Sequence, residues 1–134
     1  LGYKFDSSVT PGISWLSKGG PDYRKYKNIP YQITGDIKEY PITIEEKRWG
    51  LLGKCLPDNW FFYKWLRPTN MTCFELKNII RKKSISNEDI LMMFHSMEVM
   101  INKTPYVRSE WMRRYYIWRL DRSLGYAKEQ GYLL

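Results

Sequence analysis

Ile90-Leu91-Met92-Met93-Phe94-His95-Ser96-Met97-Glu98 is the stretch on which the reading of this chain turns. Its first five residues are apolar without alternation. A run of that length suits a strand covered on both faces in a parallel sheet. The run ends at His95, the one histidine of the sequence. In parallel α/β sheets and barrels, groups at the C-terminal ends of strands face the ligand site, so His95 is a catalytic candidate by position, although a lone histidine is on average a structural residue.

Working outward from this run, helices are expected on both sides. Upstream, Thr72 with Glu75 three residues on has the form of a capping box, and Phe74, Leu76, Ile79 and Ile80 suit one helical face running to about Lys83. Downstream, Ser109 with Glu110 opens a long helix that ends near Gly131, with Met112, Tyr116, Ile117, Leu120, Leu124 and Ala127 as its buried stripe. Tyr132-Leu133-Leu134 resumes an apolar run. Helix, buried strand, long helix and resumed strand form an α/β pattern.

The first half is less regular. Leu1 to Val9 reads as a strand ended by Thr10-Pro11-Gly12, and its opening, Leu1-Gly2-Tyr3-Lys4-Phe5, reads as the middle of a strand, so a preceding segment is expected. Ser17 to Tyr31 is an aperiodic loop. Gly35-Asp36 can turn a hairpin from Tyr31-Gln32-Ile33-Thr34 into Ile37 to Ile44, a strand whose Pro41 places it at an edge or a bulge. Leu56 to Pro68 is rich in aromatics without a period and reads as irregular or a short helix.

The chain has 134 residues, 43% of them hydrophobic, the size and composition of one globular domain. Its net charge of +8 suits nucleic acid, acidic glycans or an anionic membrane, or a solubilising surface. The densest basic stretch, Arg81-Lys82-Lys83, is too short for a dedicated nucleic-acid arm. Cys55 and Cys73 are too few for a disulfide framework and lack zinc-ligand spacing; they are free thiols or one optional bridge. No apolar run approaches 18 residues, so no transmembrane segment is expected.

Five segments, taken in order, carry a resemblance: Leu1-Gly2-Tyr3-Lys4-Phe5-Asp6-Ser7-Ser8-Val9-Thr10-Pro11, Glu39-Tyr40-Pro41-Ile42-Thr43, Trp65-Leu66-Arg67-Pro68, Met93-Phe94-His95-Ser96-Met97-Glu98, and Thr104-Pro105-Tyr106 followed by a long helix and Gly131-Tyr132. Together they resemble the later half of polysaccharide deacetylases of the NodB-homology type. The resemblance implies that residues 1–134 are the C-terminal part of that catalytic domain, an α/β fold forming a partial, distorted (β/α) barrel without its N-terminal strands. It implies a carbohydrate substrate, hydrolysis of acetamido or acetyl ester groups, and extracytoplasmic or cell-envelope placement. Half a barrel leaves strand edges unpaired, so residues 1–134 in isolation are expected to oligomerise or to be poorly stable.

The family's aspartate-bearing first motif and its His-x-x-x-His metal motif precede the matched region, and neither occurs in this sequence. A divalent metal, zinc foremost, is therefore expected for the complete domain and not from this chain alone, since a catalytic zinc takes three protein ligands. The missing half, or another chain, is the expected partner. By resemblance His95 is the acid that protonates the leaving group, a role that suits an imidazole titrating near neutral pH. Asp6 is a second catalytic candidate, as a site-orienting carboxylate, or else it caps the Ser7-Ser8 turn. Trp15, Trp65 and Arg67 are candidates for a sugar groove, because aromatic faces stack on sugar rings and Arg donates to hydroxyls or carboxylates; aromatics more often belong to the core, which is the alternative for the two tryptophans. Glu98 is placed to orient His95 or to lie exposed in a loop. A second reading keeps the same aromatic and basic residues in a non-catalytic module that binds a glycan or a polynucleotide.

Overall fold

The computed structural model describes residues 2–46 and 63–133. They contain two helices and five short strands, with no closed barrel among them. They divide into two units, Leu1–Trp65 and Leu66–Leu134.

In the first unit, β1 (Phe5–Asp6) lies parallel to β3 (Ile37–Glu39), and β2 (Tyr31–Thr34) pairs antiparallel with β3. The β2–β3 hairpin turns at Gly35-Asp36 as the sequence predicts, with Gly35 at a φ of 50°. The strand expected over Leu1 to Val9 is shorter, because the Asp6 carboxylate accepts hydrogen bonds from the Ser7 N–H at 2.8 Å and the Ser8 hydroxyl at 2.9 Å and bends the chain. The strand expected from Ile37 to Ile44 is two strands. Pro41 has no N–H to give a ladder; its neighbours do, Tyr40 N bonding to Asp6 O at 2.8 Å and Ile42 N to Val9 O at 3.0 Å. Beyond this crossing, β4 (Ile44–Glu46) pairs antiparallel with β5 (Tyr63–Trp65). Val9, Ile42 and Ile44 are buried. The remainder of the aromatic segment, residues 56–62, and Cys55 lie outside the described residues.

In the second unit, α1 (Cys73–Ile85) starts at the predicted capping box. The Thr72 hydroxyl accepts from Glu75 N at 3.2 Å and the Glu75 carboxylate accepts from Thr72 N at 3.0 Å. Leu76, Ile79 and Ile80 are buried, whereas Phe74 is exposed. Phe74 precedes Leu76 by two residues, roughly 200° around the helix, and so faces away from the core. Replacing Thr72 with alanine is expected to cost about 1 kcal/mol, read as a drop of a few degrees in melting temperature.

Ser109 caps α2 (Glu110–Glu129), accepting from Met112 N at 3.3 Å. Its buried stripe is Tyr116, Ser123 and Ala127, with Leu120 and Leu124 half-buried. Met112 and Ile117, expected in that stripe, are exposed. The two helices enclose a core of Leu66, Met71, Leu76, Ile79, Ile80 and Ala127, on which Ile90, Met92, Tyr126 and Tyr132 pack.

Two expected strands are absent among the described residues. Ile90 to Phe94 forms no strand; Met93 N bonds across to Leu66 O at 3.1 Å. Residues 90–93 are half-buried and Phe94 is exposed, so the run covers the flank of the helix pair instead of filling the middle of a sheet. Tyr132 likewise closes α2: its N–H bonds to Ala127 O and its hydroxyl to Glu88 O at 2.8 Å. No described helix is long and apolar enough to cross a membrane.

Candidate functional site

Glu98 organises the residues around the histidine. It lies in a short 3-10 helix, Ser96–Val99, that begins directly after His95, and the Glu98 N–H bonds to the His95 carbonyl at 2.9 Å. The turn directs the Glu98 side chain inward, where it is 1% exposed. Three donors meet it there: Arg67 Nη2 on Oε1, the Thr69 hydroxyl on Oε2, and the Tyr116 hydroxyl on Oε2 at 2.9 Å. A buried carboxylate is tolerated when its lone pairs are satisfied and a cation stands against it, and both conditions are met.

The titration behaviour follows from this geometry. Burial pushes the Glu98 carboxyl up, but the hydrogen bonds of Thr69, Arg67 and Tyr116 with the Arg67 charge outweigh it and hold the group below the usual carboxylate value. The same burial and the same carboxylate push the Tyr116 phenol far up, so that it stays protonated as a donor.

Arg67 is thereby fixed. Its guanidinium also lies 5.7 Å from the centre of the Tyr106 ring, and its buried Nε has no hydrogen-bond partner among the described residues. Trp65-Leu66-Arg67-Pro68 and Met93 to Glu98 therefore meet through one carboxylate. His95 itself is exposed, at the N-cap of the 3-10 helix with extended backbone and not at a strand terminus as the sequence suggested. Glu98 holds its backbone; no hydrogen bond to its imidazole is present among the described residues.

The remaining candidates lie in the first unit. Asp6 caps the Ser7-Ser8 turn, as its structural reading anticipated, and also sits opposite Glu39 across the parallel β1–β3 pair. Trp15 and Trp65 meet edge to face, 6.4 Å between ring centres at 75°, with the Trp15 indole donating to Thr10 Oγ1 at 2.8 Å and Lys18 standing 5.3 Å over its ring. Each tryptophan thus has a packing role, and both remain half-buried.

Glu98 as a buried hub, and Thr69 and Tyr116 as its donors, were not legible as site residues. The one available signal was the three-residue spacing from His95 to Glu98. Among the described residues no three His, Cys, Asp or Glu side chains cluster so as to hold a metal, and those residues do not fit a zinc centre. Cys73, at the start of α1, is a free thiol. Comparison with protein-family models, with curated proteins and with solved structures finds no match.

Proposed function

We propose that this chain is the C-terminal part of a metal-dependent carbohydrate deacetylase that removes N- or O-acetyl groups from a polysaccharide or glycan precursor. The partial (β/α) barrel and the extracytoplasmic or cell-envelope setting belong to the same proposal. The observation that carries it is the Glu98 hub: two of the segments on which the resemblance rests are joined by a buried carboxylate that fixes Arg67 and the backbone beside His95. The loss of the expected strand before His95 removes one line of support, and the hub supplies another.

In this reading the metal ligands belong to the N-terminal half, without which the chain is inactive. This chain contributes an exposed imidazole at His95 that protonates the departing amine or alcohol, and a rigid guanidinium at Arg67 that donates to substrate oxygens. Trp15 and Trp65 would meet the sugar with the ring surface left free by their mutual contact.

A second reading is favoured by the outer face of α2. Trp111, Tyr115 and Trp118 stack on one another at 5.6 and 5.8 Å, all exposed, with Arg119 4.7 Å over the Tyr115 ring. Such a face suits a non-catalytic module for an acidic glycan or a polynucleotide. Metal analysis of the intact natural protein separates the two readings. About one zinc per chain is expected for the deacetylase. A zinc-free protein whose log affinity for a polyanion falls linearly with log salt establishes the binding module instead.

A further inference from the structure

Two carboxyl-bearing residues stand side by side in the first unit, with no cation paired to Glu39 among the described residues. In the parallel β1–β3 pair, Asp6 stands in register with Glu39, so the two side chains leave the same face of the sheet side by side. Glu39 is fully buried. Its Oε1 accepts the Val9 N–H at 3.0 Å, while its buried Oε2 receives no N–H or O–H from any described donor. The side chain beside it in register is that of Asp6, and an ionised carboxylate has only acceptors to offer. Two neighbouring carboxylates, one of them buried, are relieved by a proton on one of them.

We propose that Glu39 is carried as a neutral carboxylic acid whose Oε2 hydrogen is donated to the Asp6 carboxylate, making Glu39 the positioning residue for Asp6. The proton belongs on Glu39 because Asp6 is exposed and its charge is already met by the Ser7 N–H and the Ser8 hydroxyl, whereas Glu39 is shut off from water. The titratable groups facing Glu39 agree. From β1 there is Asp6; from β2 there is Tyr31, its register partner, with Tyr26 and Tyr23 in ring contact beyond. Lys38 and Tyr40, its neighbours on β3, alternate to the other face, where the Lys38 ammonium lies 5.0 Å from the Tyr40 ring. No cation pairs with Glu39 among the described residues. Burial raises the group above the ordinary carboxylate value, the Asp6 charge adds to this, and the Val9 and Ser8 N–H groups oppose it without cancelling it.

The pair locks the turn after β1, since Glu39 grips Val9 while Asp6 grips Ser7 and Ser8. The geometry stands by itself; that the lock serves catalysis rests on the deacetylase reading of Asp6. A raised pKa in the folded state gives stability that is complete below the unfolded value and is lost as pH rises through the folded one. Glu39→Gln should reproduce the neutral acid, its amide donating to Asp6 and its carbonyl accepting from Val9, without that alkaline loss.

The test is thermal unfolding of the intact natural protein and its Glu39→Gln variant across pH 5 to 8, with infrared spectra of both. Expected are near-equal melting temperatures at the acid end, a gap in favour of Glu39→Gln that widens by roughly 4 °C or more toward the alkaline end, and a protonated-carboxyl stretching band that the variant lacks. A gap that does not change with pH, or a wild-type spectrum without that band, overturns the proposal. Both readouts omit substrate, so failure of the deacetylase reading would leave them unchanged. If both hold, loss of acetate release in Asp6→Asn at an unchanged melting temperature assigns the locked aspartate to catalysis, and retained release in Asp6→Asn refutes that assignment.

Discussion

Replacing Glu98 with alanine is expected to destabilise the protein by about 3–5 kcal/mol, a fall in melting temperature on the order of 10 °C. The magnitude comes from what the substitution leaves behind. Arg67 would keep its charge in a largely enclosed site with no counter-ion, and the Thr69 and Tyr116 hydroxyls would lose the acceptor they share. Glu98→Gln keeps the shape and one acceptor and should cost less. Because the folded-state carboxyl is held below its usual value, the stability it contributes is present above the unfolded pKa, ordinarily about 4.5, and is lost as pH falls through the folded one. The wild type should therefore show an acid-side loss of stability that is smaller in Glu98→Gln. A glutamine variant with the same acid-side slope would mean that the hub carboxylate is not ionised against Arg67.

The second large effect falls on activity and spares the fold. His95 is exposed and its imidazole has no hydrogen bond among the described residues, so His95→Ala should change stability by no more than about 0.5 kcal/mol. If the imidazole supplies the proton to the departing group, its removal should lower kcat by roughly 10²–10⁴. Substrates with better leaving groups need that proton less and should lose less. Arg67→Ala differs in kind, since it should damage both stability and turnover by stripping Glu98 of its cation. A His95→Ala variant that unfolds early would place the histidine in the scaffold and not in the chemistry.

What could be read from residues alone divides along a physical line. The β2–β3 hairpin, the Thr72 capping box and the Ser109 cap are local, and turn and cap chemistry within four residues specifies them. The apolar run from Ile90 to Phe94 was misread as a strand because a strand exists only with a neighbour to pair, and apolarity does not say whether the neighbour is a strand or a helix pair. Glu98 looked like a loop carboxylate for a similar reason. Its burial depends on donors at positions 67, 69 and 116, far away in sequence. Asp6 has two roles on the sequence, a catalytic one by resemblance and a turn-capping one from its neighbours, and the turn-capping one is seen directly. Glu39, which gives that aspartate its setting, was visible only once parallel register placed it alongside. Trp15 and Trp65 were legible as aromatics in need of a surface, but not as each other's surface.

Release of acetate from acetylated glycans, compared at equal folded concentration between the intact natural protein and its His95→Ala variant, is the most direct test of the account. It predicts acetate from the wild type and a rate lower by roughly two orders of magnitude or more from the variant, with melting temperatures unchanged. Equal rates from the two proteins would contradict it.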